Sequence, residues 1–142
     1  MKAVEIKKTG GPEVLELKDI KLADPSNGEV LIKQVAIGLN YIDTYHRSGL
    51  YPVPLPSGIG LEGAGIIEKV GSDTDGFNVG DKVCYAAAPI GSYATHRIYP
   101  TKSLVKVPDE IDLEIVAAIM TKGLTTFYLL HKTYEAKSGE TV

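Results

Sequence analysis

The sequence contains no tryptophan, one cysteine and three histidines among its 142 residues. The single cysteine, Cys84, excludes an intrachain disulfide framework and fits a reducing compartment, so we expect a cytoplasmic protein. The histidines, His46, His96 and His131, have no metal-ligand spacing to one another or to Cys84. No metal site is therefore predicted.

Long apolar runs and an excess of one charge are also missing. No apolar stretch is long enough to cross a bilayer, and the N-terminus alternates charged and apolar residues, unlike a signal peptide. The net charge of −3 is spread along the chain, which does not favour a surface that binds nucleic-acid phosphates. We therefore expect neither a membrane nor a nucleic acid as a partner.

Short strands separated by glycine and proline are predicted for the first two-thirds of the chain. Aliphatic and β-branched residues favour strands, and turn residues separate them, as in 24–29. Closely spaced short strands with mixed faces favour a compact, partly closed β-barrel over an open sheet. The predicted strands are 14–17, 30–39, 64–70, 81–86, 92–99 and 103–107.

The sequence changes character after Pro108. Asp112 is a candidate N-cap for a short helix, Gly123 is expected to end it, and residues 124–134 predict a second helix. The fold class is therefore mainly β with short helices, an α+β protein. The buried face of the first helix is predicted to carry Ile115, Val116, Ile119 and Met120.

Three stretches are candidates for chemistry. Residues 56–71 combine glycines with Glu62, although such glycines also serve turns and close packing. Residues 36–52 concentrate polar and aromatic side chains after an apolar strand, which is how a scaffold presents a site. The alternative for this stretch is an amphipathic helical turn with half-buried tyrosines. Residues 121–128 expose backbone groups at the start of a helix.

Taken together and in this order, these stretches resemble the medium-chain dehydrogenase/reductase superfamily. Within it, they resemble the zinc-independent quinone oxidoreductases that are similar to zeta-crystallin. The resemblance rests on four segments in register, GGPEVL at 10–15, NYIDTY at 40–45, RSGLY at 47–51 and KGLT at 122–125. It covers essentially the whole chain and implies a GroES-like, partly open β-barrel.

The resemblance also implies a site without zinc. In the zinc-dependent alcohol dehydrogenases of this superfamily, a cysteine occupies the position of Asn40 and a histidine precedes the glutamate that matches Glu62. Asn40 and Leu61 stand at those positions here, so two of about three ligands that catalytic zinc requires are missing. A metal-free site suits a quinone, which accepts hydride readily and whose ring stabilises the product oxyanion.

Roles for single residues follow from the resemblance as well. Tyr45 and Tyr51 are the hydroxyl donors that we name as catalytic, although Tyr51 could instead anchor the proline-rich stretch 51–56. Lys122 could assist phosphates, but a solvated side chain is expected, and Glu62 is expected to persist as a hydrogen-bonding strut. The residues implied to bind the nicotinamide end of NADPH are Asn40, Tyr41, Ile42, Asp43, Thr44, Tyr45, Thr125 and Tyr128.

In the family, a Rossmann domain that grips the rest of NADPH begins directly after the segment matching 139–142. No such domain is present in this sequence. We therefore expect residues 1–121 to form the catalytic domain and residues 122–142 to lead into a missing nucleotide-binding domain. The expected full-length protein is a homodimeric NADPH-dependent quinone reductase, and the isolated chain is expected to be inactive.

Two other functions stay open. The first is a stand-alone GroES-like binding module, because fold does not dictate function. The second is a metal-free reductase of the same superfamily that acts on enones or acyl chains. The polar and aromatic run 40–51 argues against a pure scaffold, and the segment 40–45 favours the quinone branch.

Overall fold

The computed structural model describes residues 1–74 and 76–141. Within them, eight strands form two antiparallel sheets, one in the order β2-β1-β4 and one in the order β7-β3-β5-β6-β8. The mainly β, partly open barrel is confirmed. The strands are β1 (Lys2–Ile6), β2 (Glu16–Asp19), β3 (Glu29–Gly38), β4 (Ser57–Gly58), β5 (Glu62–Val70), β6 (Lys82–Ala86), β7 (His96–Pro100) and β8 (Val105–Lys106).

Two α-helices accompany the strands, α1 (Tyr41–Ser48) and α2 (Leu113–Tyr128). Helix α1 follows β3 almost at once and ends at Gly49, whose φ of 88° is the left-handed conformation that glycine adopts without strain. Short 3-10 turns lie at Pro12–Val14 and Thr101–Ser103, and a π-helical turn, Leu129–Thr133, continues α2. These connections bring α1 and α2 to the same end of the five-stranded sheet, because both meet the end of β3.

Strand β3 is an interior strand of the larger sheet, since it pairs with both β5 and β7. Behind it, Tyr85 and Tyr99 stack with ring centroids 4.3 Å apart, and the buried guanidinium of Arg97 lies 4.8 Å and 4.7 Å from the two ring centres. A second cluster joins the sheet to α2. Its members are Ala64, Cys84, Val107, Leu113, Val116 and Ala117.

Several strand predictions differ from the structure at their boundaries. The strand predicted at 103–107 is confined to Val105–Lys106, after the 3-10 turn Thr101–Ser103. The segment predicted as a strand at 14–17 begins inside the 3-10 turn Pro12–Val14. Pro12 favours this turn because its ring fixes a helical φ at the first residue of the turn. The strand predicted at 92–99 is confined to His96–Pro100. The residues before it bond to β1 instead, through Tyr93 O with the Val4 N–H and through the Thr95 N–H with Lys2 O.

Helix α2 differs more. Its N-cap is confirmed, since the Asp112 carboxylate accepts the Glu114 N–H at 2.9 Å, but the helix runs through Gly123 without a break. Ile115 and Ile119, predicted to be buried, are 56% and 52% exposed. The division at 121/122 falls inside this continuous helix and stays a prediction. The face that packs carries Leu113, Val116, Ala117 and Met120, the i, i+3, i+4, i+7 pattern of a single helical stripe.

The helical segment Leu113–Thr133 is also unusually apolar. It has 21 residues, and its most apolar stretch of 18 residues has a mean hydropathy of 1.4 with 17% of those residues buried. By length and composition alone it could cross a membrane, a test that core helices also pass. The expectation that no apolar stretch reaches that length is therefore wrong by this measure.

Candidate active site

The carboxylate of Glu62, the first residue of β5, is the centre of the site and has no exposed surface. Its Oε2 accepts a hydrogen bond from Asn40 Nδ2 at 2.6 Å, and its Oε1 accepts one from the backbone N–H of Thr121 at 2.7 Å. Glu62 therefore connects the start of α1 and the middle of α2 to the sheet. The prediction that it acts as a hydrogen-bonding strut is confirmed.

A glycine makes room for this carboxylate. Gly38, the last residue of β3, pairs directly with Glu62 in the sheet. A Cβ placed on Gly38 would overlap both the Glu62 carboxylate and the backbone oxygen of Ala117 in α2. The missing side chain thus allows Glu62 to point inward and α2 to approach the sheet closely.

A second buried carboxylate, that of Asp43, lies in the first turn of α1 and is 3% exposed. Its Oδ2 accepts the Asn40 backbone N–H at 3.0 Å and the Tyr93 hydroxyl at 2.9 Å. Its Oδ1 has no partner in the described part of the chain. Burial, and then the hydrogen bond to Asp43, raise the pKa of Tyr93 far above its usual range. Tyr93 therefore stays protonated and keeps donating to Asp43.

Three aromatic rings, Tyr41, Tyr45 and Tyr51, form what we call the tyrosine cluster. Tyr45 is in the middle, with ring centroids 5.4 Å from Tyr41 and 5.3 Å from Tyr51, both edge-to-face. The Tyr51 N–H donates to the Tyr45 carbonyl at 3.1 Å, which holds the two together. Tyr41 is 76% and Tyr51 48% exposed, so the cluster offers an open aromatic surface at the helix whose N-cap is Asn40.

The structure brings together most of the predicted site residues, because Asn40, Tyr41, Ile42, Asp43, Thr44 and Tyr45 form the start of α1. Thr44 binds its own helix, through Oγ1 and the Tyr41 carbonyl at 2.7 Å. Thr125 and Tyr128 lie further along α2 on exposed positions. No hydrogen bond or aromatic contact joins either of them to α1 within residues 1–74 and 76–141. The roles of all these residues stay predictions.

Two residues of the site were missed, and a third was placed differently. Tyr93 and Thr121 bind the two buried carboxylates. Lys122, predicted to be solvated, has a 60% exposed side chain but brings Nζ to 4.0 Å from Glu62 Oε2. Tyr93 is 50 positions from Asp43 in the chain, so no local pattern in the sequence could pair them. Lys122 stands in the KGLT segment, which was the available signal.

Cys84 packs between the sheet and α2 near this group. Burial, with a smaller contribution from the charge of Glu62, raises the pKa of its thiol from 9.0 to about 11. A folded-state pKa above the unfolded one stabilises the fold fully below pH 9, and this contribution is lost as the pH rises towards 11. Two pKa units correspond to about 2–3 kcal/mol.

We therefore expect the free energy of unfolding of the wild type to fall more steeply between pH 9 and pH 11 than that of Cys84→Ala. Denaturant unfolding followed by circular dichroism at several alkaline pH values measures both slopes. The buried tyrosines titrate in both proteins, so their contribution cancels in the difference. Parallel pH dependences would contradict the assigned role of the thiol.

The described residues do not form a site for the phosphates of a dinucleotide. Gly58, Gly60 and Gly63 have the spacing of a dinucleotide-binding turn, but the segment leads into β5 and not into a helix N-terminus. The N-terminus of α1 is already capped by Asp43 and lies beside Glu62, and these carboxylates oppose a phosphate there.

Residues 1–74 and 76–141 also contain no cluster of three or more histidine, cysteine, aspartate or glutamate side chains that could hold a metal ion. The donor set around Asn40 consists of an amide and the buried carboxylates of Glu62 and Asp43. The carboxylate of Glu62 already accepts two N–H donors beside an ammonium, and that of Asp43 accepts an N–H and a hydroxyl. Chemistry without a metal at this position stays a prediction.

Comparisons with known proteins agree with this geometry. The alcohol dehydrogenase GroES-like domain family matches residues 26–109. A quinone oxidoreductase of Pseudomonas aeruginosa is 54% identical, over 99% of this chain and 44% of that protein. A 2-haloacrylate reductase of a Burkholderia species is 42% identical over the same shares. The crystal structure of an Escherichia coli quinone oxidoreductase complexed with NADPH superposes with a TM-score of 0.96 and 46% identity, over 99% of this chain and 43% of that one. The chain thus spans about 44% of the length of these curated relatives.

Proposed function

Because the chain belongs to the alcohol dehydrogenase GroES-like family of the medium-chain dehydrogenase/reductase superfamily, we propose that it forms the substrate-binding portion of an NADPH-dependent quinone oxidoreductase. The observation that carries the proposal is the tyrosine cluster beside the Asn40–Glu62 pair. A quinone is flat and aromatic, so it can pack against exposed tyrosine rings. The relatives named as quinone oxidoreductases support the same substrate class.

The chemistry requires little beyond positioning. NADPH supplies a hydride when bound, and Asn40, Tyr41, Ile42, Asp43, Thr44, Tyr45, Thr125 and Tyr128 would hold its nicotinamide end. Tyr41, Tyr45 and Tyr51 would orient the quinone ring and exclude water from one face. Tyr45 or Tyr51 would donate the proton that the reduced oxygen takes up. The described residues would leave the cofactor phosphates to chain outside them, so we also propose that these 142 residues alone reduce no quinone.

The test is NADPH oxidation by the protein produced from its complete reading frame, with 1,4-benzoquinone, 1,4-naphthoquinone and 2-chloroacrylate as acceptors. Rapid oxidation with the quinones is expected. Faster turnover of 2-chloroacrylate would favour the second candidate, a reductase of activated alkenes, which the 42% identity to a 2-haloacrylate reductase supports. No turnover with any acceptor would favour the stand-alone GroES-like binding module over both reductases.

Tyr45→Phe and Tyr51→Phe identify the proton donor. Loss of the donor hydroxyl is expected to lower kcat about tenfold, less than the roughly 10²–10⁴-fold usual for a general acid, because a quinol anion is already stabilised by its ring. The KM for NADPH should change little. Tyr134→Phe, which alters an exposed tyrosine outside the tyrosine cluster, is the matched control. Unchanged kcat in both single variants and in the double variant would remove the tyrosines from the reaction.

Homodimerisation and a cytoplasmic location are likewise proposed. Light scattering of the complete protein tests the first, and fractionation of cells that express it tests the second.

A further inference from the structure

A single cation faces the buried carboxylate of the site. Glu62 has no exposed surface, and a buried carboxylate without a counter-charge is strongly unfavourable. Among the described residues, Lys122 is the one basic side chain whose nitrogen comes within 4.0 Å of it. Lys122 is therefore the counter-ion of Glu62.

Asn40 holds this cation in a defined place. Its amide Nδ2 donates to Glu62 Oε2 at 2.6 Å, while its Oδ1 accepts from Lys122 Nζ at 3.4 Å. Rotating the amide by half a turn would set oxygen against oxygen and nitrogen against ammonium, so both contacts select the same orientation. The three side chains form a directed chain of hydrogen bonds from Lys122 through Asn40 to Glu62.

The other end of this chain is open. The Lys122 side chain is 60% exposed, in contrast to the fully buried Glu62. Its ammonium has three donors, and the contact with Asn40 uses one of them. A ligand that carries negative charge on an oxygen can therefore reach the ammonium without displacing Glu62.

We propose that Lys122 provides the positive charge of this site, both offsetting Glu62 and stabilising negative charge on a ligand oxygen beside Asn40. The inference rests on the proposed quinone reduction. In that reaction the quinone gains a hydride while the nicotinamide cofactor is oxidised, which leaves a hydroquinone anion, and one proton then completes the hydroquinone. Lys122 stays protonated throughout and lowers the energy of the anion, while a tyrosine or the solvent supplies the proton.

The first test measures binding, without turnover. The ligands are 2-hydroxy-1,4-naphthoquinone, an anion at neutral pH, and its neutral analogue 2-methoxy-1,4-naphthoquinone, titrated calorimetrically into the complete protein. Lys122→Met is expected to weaken binding of the anion about tenfold, the effect of one charge at close range in a partly solvated site. Binding of the neutral analogue should change less than about twofold, and Lys122→Arg should retain most of the affinity for the anion.

The second test separates kcat from KM in steady-state quinone reduction. Lys122→Met is expected to lower kcat about tenfold at unchanged KM for NADPH, and Lys122→Arg to restore most of it. Lys102→Met is the matched control. Lys102 follows β7, which pairs with the end of β3 at Glu29, the opposite end of that strand from Gly38. If Lys122→Met instead disrupted α2, the variant would bind both ligands more weakly by the same factor. Circular dichroism would detect such a loss of helix.

The inference is overturned if the wild type binds the anion no more tightly than the methoxy analogue, or if Lys122→Met leaves their ratio unchanged. A wild type that prefers the anion through Lys122 but reduces no quinone would overturn the proposed function and leave the inference standing. If Lys122→Met reduces quinones as well as the wild type does, the inference is overturned and the proposed function stands.

Discussion

Gly38→Ala is expected to lower the free energy of unfolding by about 3 kcal/mol or more, the range of severe overpacking in a core. The added methyl group would overlap the Glu62 carboxylate and the backbone of α2 at once. Neither neighbour is the free end of a flexible side chain, because Glu62 is held by two hydrogen bonds and the other atom belongs to a helix backbone. Chemical denaturation followed by circular dichroism measures the loss.

Gly123→Ala is the matched control for this substitution. It adds the same methyl group to a helical glycine with nothing within 4 Å of the new atom. Alanine is the better helix former by about 0.8–1.0 kcal/mol, so this variant should gain stability. Two variants of the same chemistry should thus change stability in opposite directions. A loss below about 1 kcal/mol in Gly38→Ala would show that β3 and α2 separate easily, against the close packing described.

Asp43→Ala is expected to cost about 2–4 kcal/mol, because it leaves two donors without an acceptor and removes the cap of α1. The donors are the backbone N–H of Asn40 and the hydroxyl of Tyr93. The hydrogen bond from Asn40 lies at the start of α1, whereas the hydrogen bond from Tyr93 joins α1 to the loop before β7. Thermal or chemical unfolding of Asp43→Ala beside Asp109→Ala, an exposed aspartate, measures the difference.

A double-mutant cycle apportions this cost. Tyr93→Phe removes the donor alone and should cost about 1 kcal/mol, the net worth of one hydrogen bond. The double variant should be less destabilised than the sum of the two single variants, because both remove the same bond. Full additivity would mean that Tyr93 and Asp43 stabilise the fold independently, contrary to the 2.9 Å contact between them.

The sequence predicted the class of fold because its strands are short, aliphatic and bounded by unmistakable turn residues. Asp112 was identified as an N-cap from its position before an apolar stretch, and its side chain does accept a helical N–H. The predicted buried face of α2 was correct at Val116 and Met120 and wrong at Ile115 and Ile119, for a physical reason. This helix carries apolar side chains on all of its faces, so their spacing is compatible with more than one buried stripe. Packing against the neighbouring sheet buries the stripe that contains Val116 and Ala117 and leaves Ile115 exposed.

Gly123 shows the same limit of local reasoning. A glycine costs only about 1 kcal/mol inside a helix, and the residues on both sides are good helix formers, so α2 continues through it. In the candidate site, the segment from Asn40 to Asp43 could be found from its resemblance to known proteins. The contacts of Tyr93 and Lys122 could not, because they depend on long-range packing between α1, α2 and the loop before β7.

Helix α2 is continuous, so a displacement of one of its ends is transmitted to the other. Its sixteen residues span about 24 Å. Its first half packs against the barrel, while its second half carries the exposed side chains of Leu124 and Phe127. Thr121 and Lys122 lie near the middle of the helix. A small tilt of α2 would therefore move the backbone N–H of Thr121 and the ammonium of Lys122 relative to the Glu62 carboxylate. A body that packs on the second half of α2 is therefore expected to change the position of Lys122 relative to Glu62 without contacting either side chain.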